Sequence, residues 1–326
     1  MNLPKEKAAF DRSVGKRVYE SALLTFHGTE GYDVYNPSIP FWIGGHRYLF
    51  GRVEKRGKWA SSVVRLFREA GPDLWELVRE ADNFPLEDPF VSAAEGALLL
   101  GGTHVKKVFD RISGYNTYFY RGDARAFSQG APEGVLVFET CGPDNMKDIR
   151  LVELSDGRLG VFSRPRRRFA DGAEARIGFA VIDSFSDLTP EVIDNAPFIE
   201  GLFGAGQWGG VNQAYLLPDG KIGVIGHASF LEMREGEELQ VYCNTSFVLD
   251  PETRKAEEYA VIGTAAAYPG GPAKLPRLID CVFTSGIYLR EDGRADLYSG
   301  VRDVASGRIV IDYPFAGHGA IRNIGF

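Results

Sequence analysis

Along the chain, apolar residues alternate with polar ones over short stretches broken by glycine, and the 3.6-residue spacing of amphipathic helices is scarce. Five stretches share one pattern: "PFWIGGHRYLFGRVE", "PFVSAAEGALLLGGT", "IRLVELSDGRLGVFSR", "AYLLPDGKIGVIGHA" and "GIYLREDGRADLYSG". Each sets two apolar runs around a glycine-containing turn, the signature of a β-hairpin. The turn glycines Gly45, Gly96, Gly157, Gly220 and Gly293 recur at intervals of about 50 to 75 residues, room for a four-stranded unit with long loops. Further β-type sequence follows each copy, as in "SSVVRLF", "YNTYFYRG", "ARIGFAVI" and "LQVYCNTSFVLD". The pattern predicts an all-β fold, a five-bladed β-propeller in a single domain over residues 1–326. Its blades are expected at about 33–80, 84–140, 144–195, 205–262 and 278–316. "RVYESALLTF" at 17–26 reads as a strand that closes the ring or leads into the first blade. "GPDLWELVREA" and "SDLTPEVIDNA" read as short helical pieces between strands.

Composition fits a soluble globular chain with a large core: 326 residues, 44% hydrophobic and 25% charged. A net charge of −7 argues against nucleic acid as partner, because phosphate-backbone binding needs a basic face. No apolar run approaches the ~18 residues of a membrane span, and the charged N-terminus lacks a signal-peptide core. A cytoplasmic location is expected. Cys141, Cys243 and Cys281 are odd in number and far apart, which fits reduced thiols. The five histidines show no metal-type spacing, so neither a metal nor an organic cofactor is expected.

In a propeller, equivalent ends of the inner strands converge on one mouth of the central channel, where loops build sites. Polar residues gather at those positions: Asn36 in "YNPSIP", Glu87 and Asp88 in "LEDPFV", Lys147, Asp148 and Arg150 in "MKDIRL", Trp208 and Asn212 in "WGGVNQA", and Asp280 in "LIDCVF". The second hairpin strands add Arg52 and Glu54, His104, Arg164 and Arg166, His227, and Arg302 and Asp303. Each has a plainer reading as well. Asp88 would bond the next turn, Trp208 would pack between blades, His227 would be a satisfied core histidine, and Asn36 would cap a turn.

Together, "YNPSIPF", "LEDPFV", "MKDIRLVELSDGRLGVFSRPR", "WGGVNQAYLLPDGKIGVIGHA" and "DCVFTSGIYLREDGRADLYSGVRD" resemble the domain of unknown function 1861 family. That family is distantly similar to the five-bladed propellers of glycoside hydrolase family 130, the mannoside phosphorylases and related hydrolases. The resemblance implies a proton-donating aspartate from an "EDPR" motif, here Asp88, with Phe90 in place of the arginine. It also implies a phosphate-binding strand end reading His-Arg-Pro, here "SRP", with Ser163 for the histidine and Arg164 retained. Lys147 and His227 match its lysine and fourth-blade histidine, and Arg121, Arg150 and Arg166 are cations able to compensate for the losses.

The expected activity is inverting cleavage of a glycoside such as a β-mannoside, with Asp88 as general acid. Hydrolysis needs a second carboxylate to activate water about 6.5 to 9.5 Å from the acid, here Asp148 or Asp280. Phosphorolysis needs none, because inorganic phosphate is the nucleophile and a cluster of cations, here Lys147, Arg150, Arg164 and His227, holds it. Asn36, Glu54, Glu87, Arg121, Trp208, Asn212 and Asp303 are the expected substrate contacts, with Trp208, Tyr120 or Phe90 as a sugar platform. The partner would be a small oligosaccharide or glycoside, and self-association is left open. The alternative is a non-catalytic carbohydrate-binding or interaction propeller. Loops 103–117 and 264–276 are expected to set substrate choice.

Overall fold

In the computed structural model, which describes residues 2–58, 60–109, 111–128 and 133–326, the strands assemble into five sheets. The chain opens with a helix, Leu3–Asp11, started by Asn2, whose side chain accepts from Lys5 N (3.2 Å), and pinned by the buried Leu3 and Phe10. The strands follow: β1 (Val18–Leu23), β2 (Thr25–His27), β3 (Asp33–Tyr35), β4 (Phe41–Ile43), β5 (His46–Glu54), β6 (Val63–Gly71) and β7 (Leu74–Leu77). Next come β8 (Glu87–Ala94), β9 (Ala97–Val108), β10 (Arg111–Gly122), β11 (Val137–Cys141), β12 (Arg150–Glu153), β13 (Leu159–Ser163) and β14 (Gly178–Ile182). The last are β15 (Trp208–Leu216), β16 (Ile222–Arg234), β17 (Glu237–Leu249), β18 (Ala256–Gly263), β19 (Val282–Leu289), β20 (Arg294–Val301) and β21 (Ala305–Asp312). The sheet orders are β2-β7-β6-β5-β3, β11-β10-β9-β8, β12-β13-β14, β15-β16-β17-β18 and β1-β21-β20-β19.

These sheets form a β-propeller. The innermost strands touch in sequence, β8 with β12, β12 with β15 and β15 with β19, and the first sheet meets β8 on one side and β20 on the other. All five marker glycines have positive φ, between 71° and 85°, so each turn depends on a residue without Cβ. Apolar faces pack sheet on sheet, with Phe90, Phe119, Leu151 and Val161 filling one interface and Val152, Phe179, Val211 and Phe247 the next.

The segment 17–26 does both things expected of it as alternatives. β1 joins the last sheet beside β21, and β2 pairs in parallel with β7 of the first. The seam is tied by Arg308 to Asp73 (2.6 and 2.8 Å), Arg47 to Tyr298 OH (3.1 Å) and Trp42 Nε1 to Tyr288 OH (2.7 Å). The third sheet has three strands rather than four, its outer edge reduced to a bridge between Gly178 and Phe198. "GPDLWELVREA" is a strand and not a helix: Asp73, at φ 56°, reverses the chain and buries Trp75 on β7. "SDLTPEVIDNA" does carry helix, at Pro190–Asp194, capped by Thr189. Within 103–117, residues 103–108 and 111–117 are the paired ends of strands β9 and β10 rather than a loop. No helix among the described residues is long and apolar enough to cross a membrane.

Candidate active site

One mouth of the channel opens into a cavity of about 390 Å³, and Asp88 sits at its wall. Asp88 enters β8 in the left-handed region, φ 50°, where the pairing with β9 slips between Glu87 and Phe90. Such bulges re-aim side chains beside sites. Its carboxylate accepts from Asn36 Nδ2 at 2.6 Å and Arg52 Nη1 at 3.0 Å, and Lys147 Nζ lies 3.7 Å away. Gly300 makes room for this arrangement, because a Cβ there would lie 1.6 Å from Asn36 Oδ1.

Arg52 is shared, donating to Glu87 at 2.8 Å as well and stacking over the Tyr35 ring. Glu54 accepts from Tyr35 OH and Lys274 Nζ, and from Ser61 N and Ser62 Oγ at 3.2 and 3.1 Å. Burial pushes the Asp88 carboxyl up, but Arg52, Lys147 and Asn36 outweigh it and hold the group below its usual range. Burial wins at Glu87 and at Asp303, both of which are raised despite Arg52.

Behind this wall lies a second ionic layer. Asp148, also left-handed at φ 61° and almost fully buried, is clamped by both the Nε (3.0 Å) and Nη2 of Arg164. Burial raises it, yet Arg164 and Lys147 leave it far below the carboxylate range. His227 Nδ1 bonds Asn212 Oδ1 at 2.8 Å, and Nε2 lies 4.0 Å from Asp148. Burial drives His227 down to about 3, so its ring is neutral at pH 7. Lys147 stays charged, because Asp88 and Asp148 overcome the cost of its burial. Arg150 packs 3.9 Å over the Phe90 ring and donates to the Asn212 and Ile149 carbonyls (2.6 and 3.0 Å), and burial lowers it to about 10.

The structure therefore gathers Asn36, Glu87, Asp88, Lys147, Arg164, His227 and Asp303 on one cavity. Glu54, Asp148, Arg150 and Asn212 are buried in the layer behind and do not line it. Three expected residues lie elsewhere. Asp280 turns outward to Arg234 (2.6 Å) and Lys7 (4.0 Å): it lies in the turn after the short helix Pro276–Leu278, before β19 begins, and it is Cys281 that faces the cavity. Arg121, on the third strand out from the axis, pairs with Glu95 at 2.8 Å and covers Phe185. Trp208 is buried, with Nε1 bonded to Tyr242 OH at 3.3 Å and Arg166 5.0 Å above its ring. The other platform candidates are also committed: Tyr120 packs on Phe84, and Phe90 lies under Arg150.

Missing from the sequence reading are Lys274, Arg277, Tyr115, Gln240 and Tyr242, all on the cavity. Lys274 and Arg277 come from "PGGPAKLPR", an aperiodic stretch with no strand register to place them. Among the described residues neither Arg166 nor Arg277 forms an ion pair, so the wall of the cavity that holds Asp88 also carries cations without a carboxylate partner. A larger cavity of about 770 Å³ lies at the seam, but Arg308, Asp73, Asp296 and Arg290 there neutralise one another. No group of three His, Cys, Asp or Glu among the described residues could hold a metal ion.

The family described as "Protein of unknown function (DUF1861)" matches residues 10–317. Among solved structures, MPT-4, a mannose phosphorylase from Leishmania mexicana in complex with phosphate ion, is 50% identical, with a TM-score of 0.91 over 99% of this chain and 97% of its own. MPT-1, a GDP-Man-dependent mannosyltransferase from the same organism, is 45% identical, with a TM-score of 0.90 over 100% and 99%. An α-L-arabinanase from Penicillium chrysogenum, 10% identical with a TM-score of 0.55 over 90% and 98%, shares the fold alone. Comparison with curated proteins gives no match.

Proposed function

The chain belongs to the DUF1861 family, and on that premise we propose that it is a carbohydrate-active enzyme cleaving a β-mannoside by inverting phosphorolysis. Likeness to the mannose phosphorylase MPT-4 supports the reaction class. The observation that carries the mechanism is the pairing, in one cavity, of a buried carboxylate with a cluster of cations, of which Arg166 and Arg277 form no ion pair among the described residues. Asp88 exchanges the proton with the glycosidic oxygen, while Lys147, Arg164 and Arg166 receive phosphate on the far side of the sugar. Hydrolysis is the weaker reading, because its candidate bases are engaged: Asp148 is locked by Arg164, and Asp280 lies outside.

The resting charge state of Asp88 suits one sense of a reversible reaction without a prior proton transfer. As an anion it is ready to take a proton from an acceptor hydroxyl, the synthetic sense, in which the mannosyl group passes from the sugar 1-phosphate to the acceptor oxygen and inorganic phosphate leaves. In the cleaving sense the carboxyl must first be protonated. Bound phosphate neutralises Lys147, relaxing part of the field that keeps Asp88 ionised, so the co-substrate loads the acid. Incubation with β-mannobiose is expected to yield mannose 1-phosphate only when phosphate is present. Free mannose formed equally with and without phosphate would rule phosphorolysis out, and Asp88→Asn retaining full turnover would remove Asp88 from its role.

A second reading, transfer from a nucleotide-linked sugar, is favoured by the 45% identity to MPT-1 and by Arg277, a cavity cation available for a second phosphate. Release of GDP from GDP-mannose with a mannoside acceptor tests it.

A further inference from the structure

We infer that Glu54, which the sequence suggests as a substrate contact, is a positioning residue that sets the charge state of the Asp88 carboxyl and the cavity's affinity for phosphate. The inference rests on the phosphorolytic reading of the site. Glu54 is 2% exposed, does not line the cavity, and has both carboxylate oxygens occupied by protein donors. Oε1 accepts from Ser61 N (3.2 Å) and Ser62 Oγ (3.1 Å). Oε2 accepts from Tyr35 OH and Lys274 Nζ, with Arg52 Nη2 at 3.5 Å. A sugar hydroxyl finds no free acceptor there.

What Glu54 does touch is Arg52, which holds Asp88, and Lys274, which lines the same cavity. Arg52 bonds Asp88 and Glu87 directly, and Ser62, held by Glu54, accepts from Arg52 Nε at 2.8 Å. Lys274 comes from the stretch 268–277, which also supplies Arg277 to the cavity. That stretch is tied at its base by Arg302, whose Nη1 donates to Pro269 O at 2.9 Å and whose carbonyl accepts from Lys274 N at 3.0 Å. Glu54 thus fixes the far end of a cation-bearing loop and cancels part of the positive field on Asp88. The titratable and charged groups around Asp88 are Arg52, Lys147, Arg150, Glu87, Asp148, Asp303 and the Cys281 thiol, with Lys274 behind, so deleting one negative charge tips a finely opposed set.

The test is a double-mutant cycle of Glu54→Gln, Lys274→Met and the pair. Glu54→Gln keeps the shape and removes the charge. The Asp88 pKa, followed by carboxyl ¹³C resonances of labelled aspartate, is expected to fall by about half to one unit. Phosphate affinity by calorimetry should rise about three- to tenfold, while kcat for phosphorolysis falls and the descending limb, on which the general acid loses its proton, moves to lower pH. Lys274→Met should move the pKa and phosphate affinity the opposite way, and the double variant should return both toward wild type. A stability loss with unchanged Asp88 titration and unchanged phosphate affinity in these variants overturns the inference. Should Glu54→Gln fail to fold, Lys274→Met alone decides, since wild-type titration and affinity in that variant would also overturn it. Titration and calorimetry need no turnover, so wild-type protein lacking phosphate-dependent cleavage would refute the phosphorolytic reading separately.

Discussion

Replacing Arg164 with methionine removes the clamp on a carboxylate that is almost fully buried, and its consequences can be worked from the contacts. Asp148 loses both donors of Arg164, and its remaining neighbours are the neutral His227 at 4.0 Å and the fields of Lys147 and Arg150. Breaking a buried ion pair from one side costs about 3 to 5 kcal/mol, a large part of the ~5 to 15 kcal/mol that holds most domains folded. With an m-value of about 3 kcal/mol/M, the urea midpoint should fall by about 1 to 2 M. The pH dependence carries the sharper test. In the wild type the folded-state pKa of Asp148 is depressed, so its contribution is present above the unfolded pKa of about 3.9 and lost as pH falls through the folded value. In Arg164→Met, burial raises the Asp148 pKa, and the sign inverts: the penalty is relieved as pH falls toward the new folded pKa. Asp148→Asn/Arg164→Met lacks the titrating group and serves as reference. The gap in unfolding free energy between the single and double variants should therefore close as pH drops from 7 toward 5. A gap that stays constant, or a cost at pH 7 under about 1 kcal/mol, would refute the reasoning.

Gly300→Ala places a methyl on Asn36 Oδ1 and should push Asn36 off Asp88, with a stability loss of about 1 to 3 kcal/mol by urea unfolding and at least a tenfold drop in kcat. Arg166→Ala and Arg277→Ala, which break no ion pair among the described residues, should raise the KM for phosphate or the Kd of a phosphorylated donor several-fold, with Tm shifts within a degree or two. Removal of residues 1–23 takes β1 from the last sheet and exposes the β21 edge, so the truncated chain should melt lower and self-associate by light scattering.

The repeat was legible because each hairpin announces itself twice, by alternation along its strands and by a turn glycine that must take positive φ. Asp88, Lys147, Arg164, His227 and Asp303 were legible for a related reason. Equivalent ends of repeated strands point to one mouth, and these residues fall at such ends. The failures are local. Asp280 stands in the turn before β19 and not on the strand, so the inner-strand register does not place it, and the adjacent Cys281 lines the cavity instead. Arg121 has the right charge but lies on β10, two strands out from the inner β8, so its reach ends at Glu95. Lys274 and Arg277 had no register to read, because an irregular segment is positioned by the contacts it makes and only the folded chain brings Glu54, 220 residues earlier in sequence, against Lys274. Nor could sequence tell that Asp88 rests ionised while neighbouring Glu87 is raised. That difference comes from how Arg52, Lys147 and Asn36 distribute their donors.

Backbone conformation explains why these residue types stand at the mouth. Asn36, Asp88 and Asp148, at φ 47°, 50° and 61°, each stand at or near the entry to the inner edge of one of the first three sheets. A left-handed residue there turns its side chain out of the alternation that would otherwise direct it into the core between sheets. Asn and Asp tolerate that region better than other side chains bearing Cβ. The fourth and fifth sheets reach the same end differently, through register slips at Asn212 and between Thr284 and Gly286. Residues held in sparsely populated conformations cost free energy and persist only where surrounding contacts over-determine them. Here those contacts are the acid's own partners. Asn36 and Arg52 fix Asp88, and Arg164 fixes Asp148, so the bonds that tune the charges also keep the backbone in place. Exchange of Asp88 for a β-branched residue would therefore remove the carboxylate proposed to carry the proton and, at the same step, the contacts that hold the bulge presenting it.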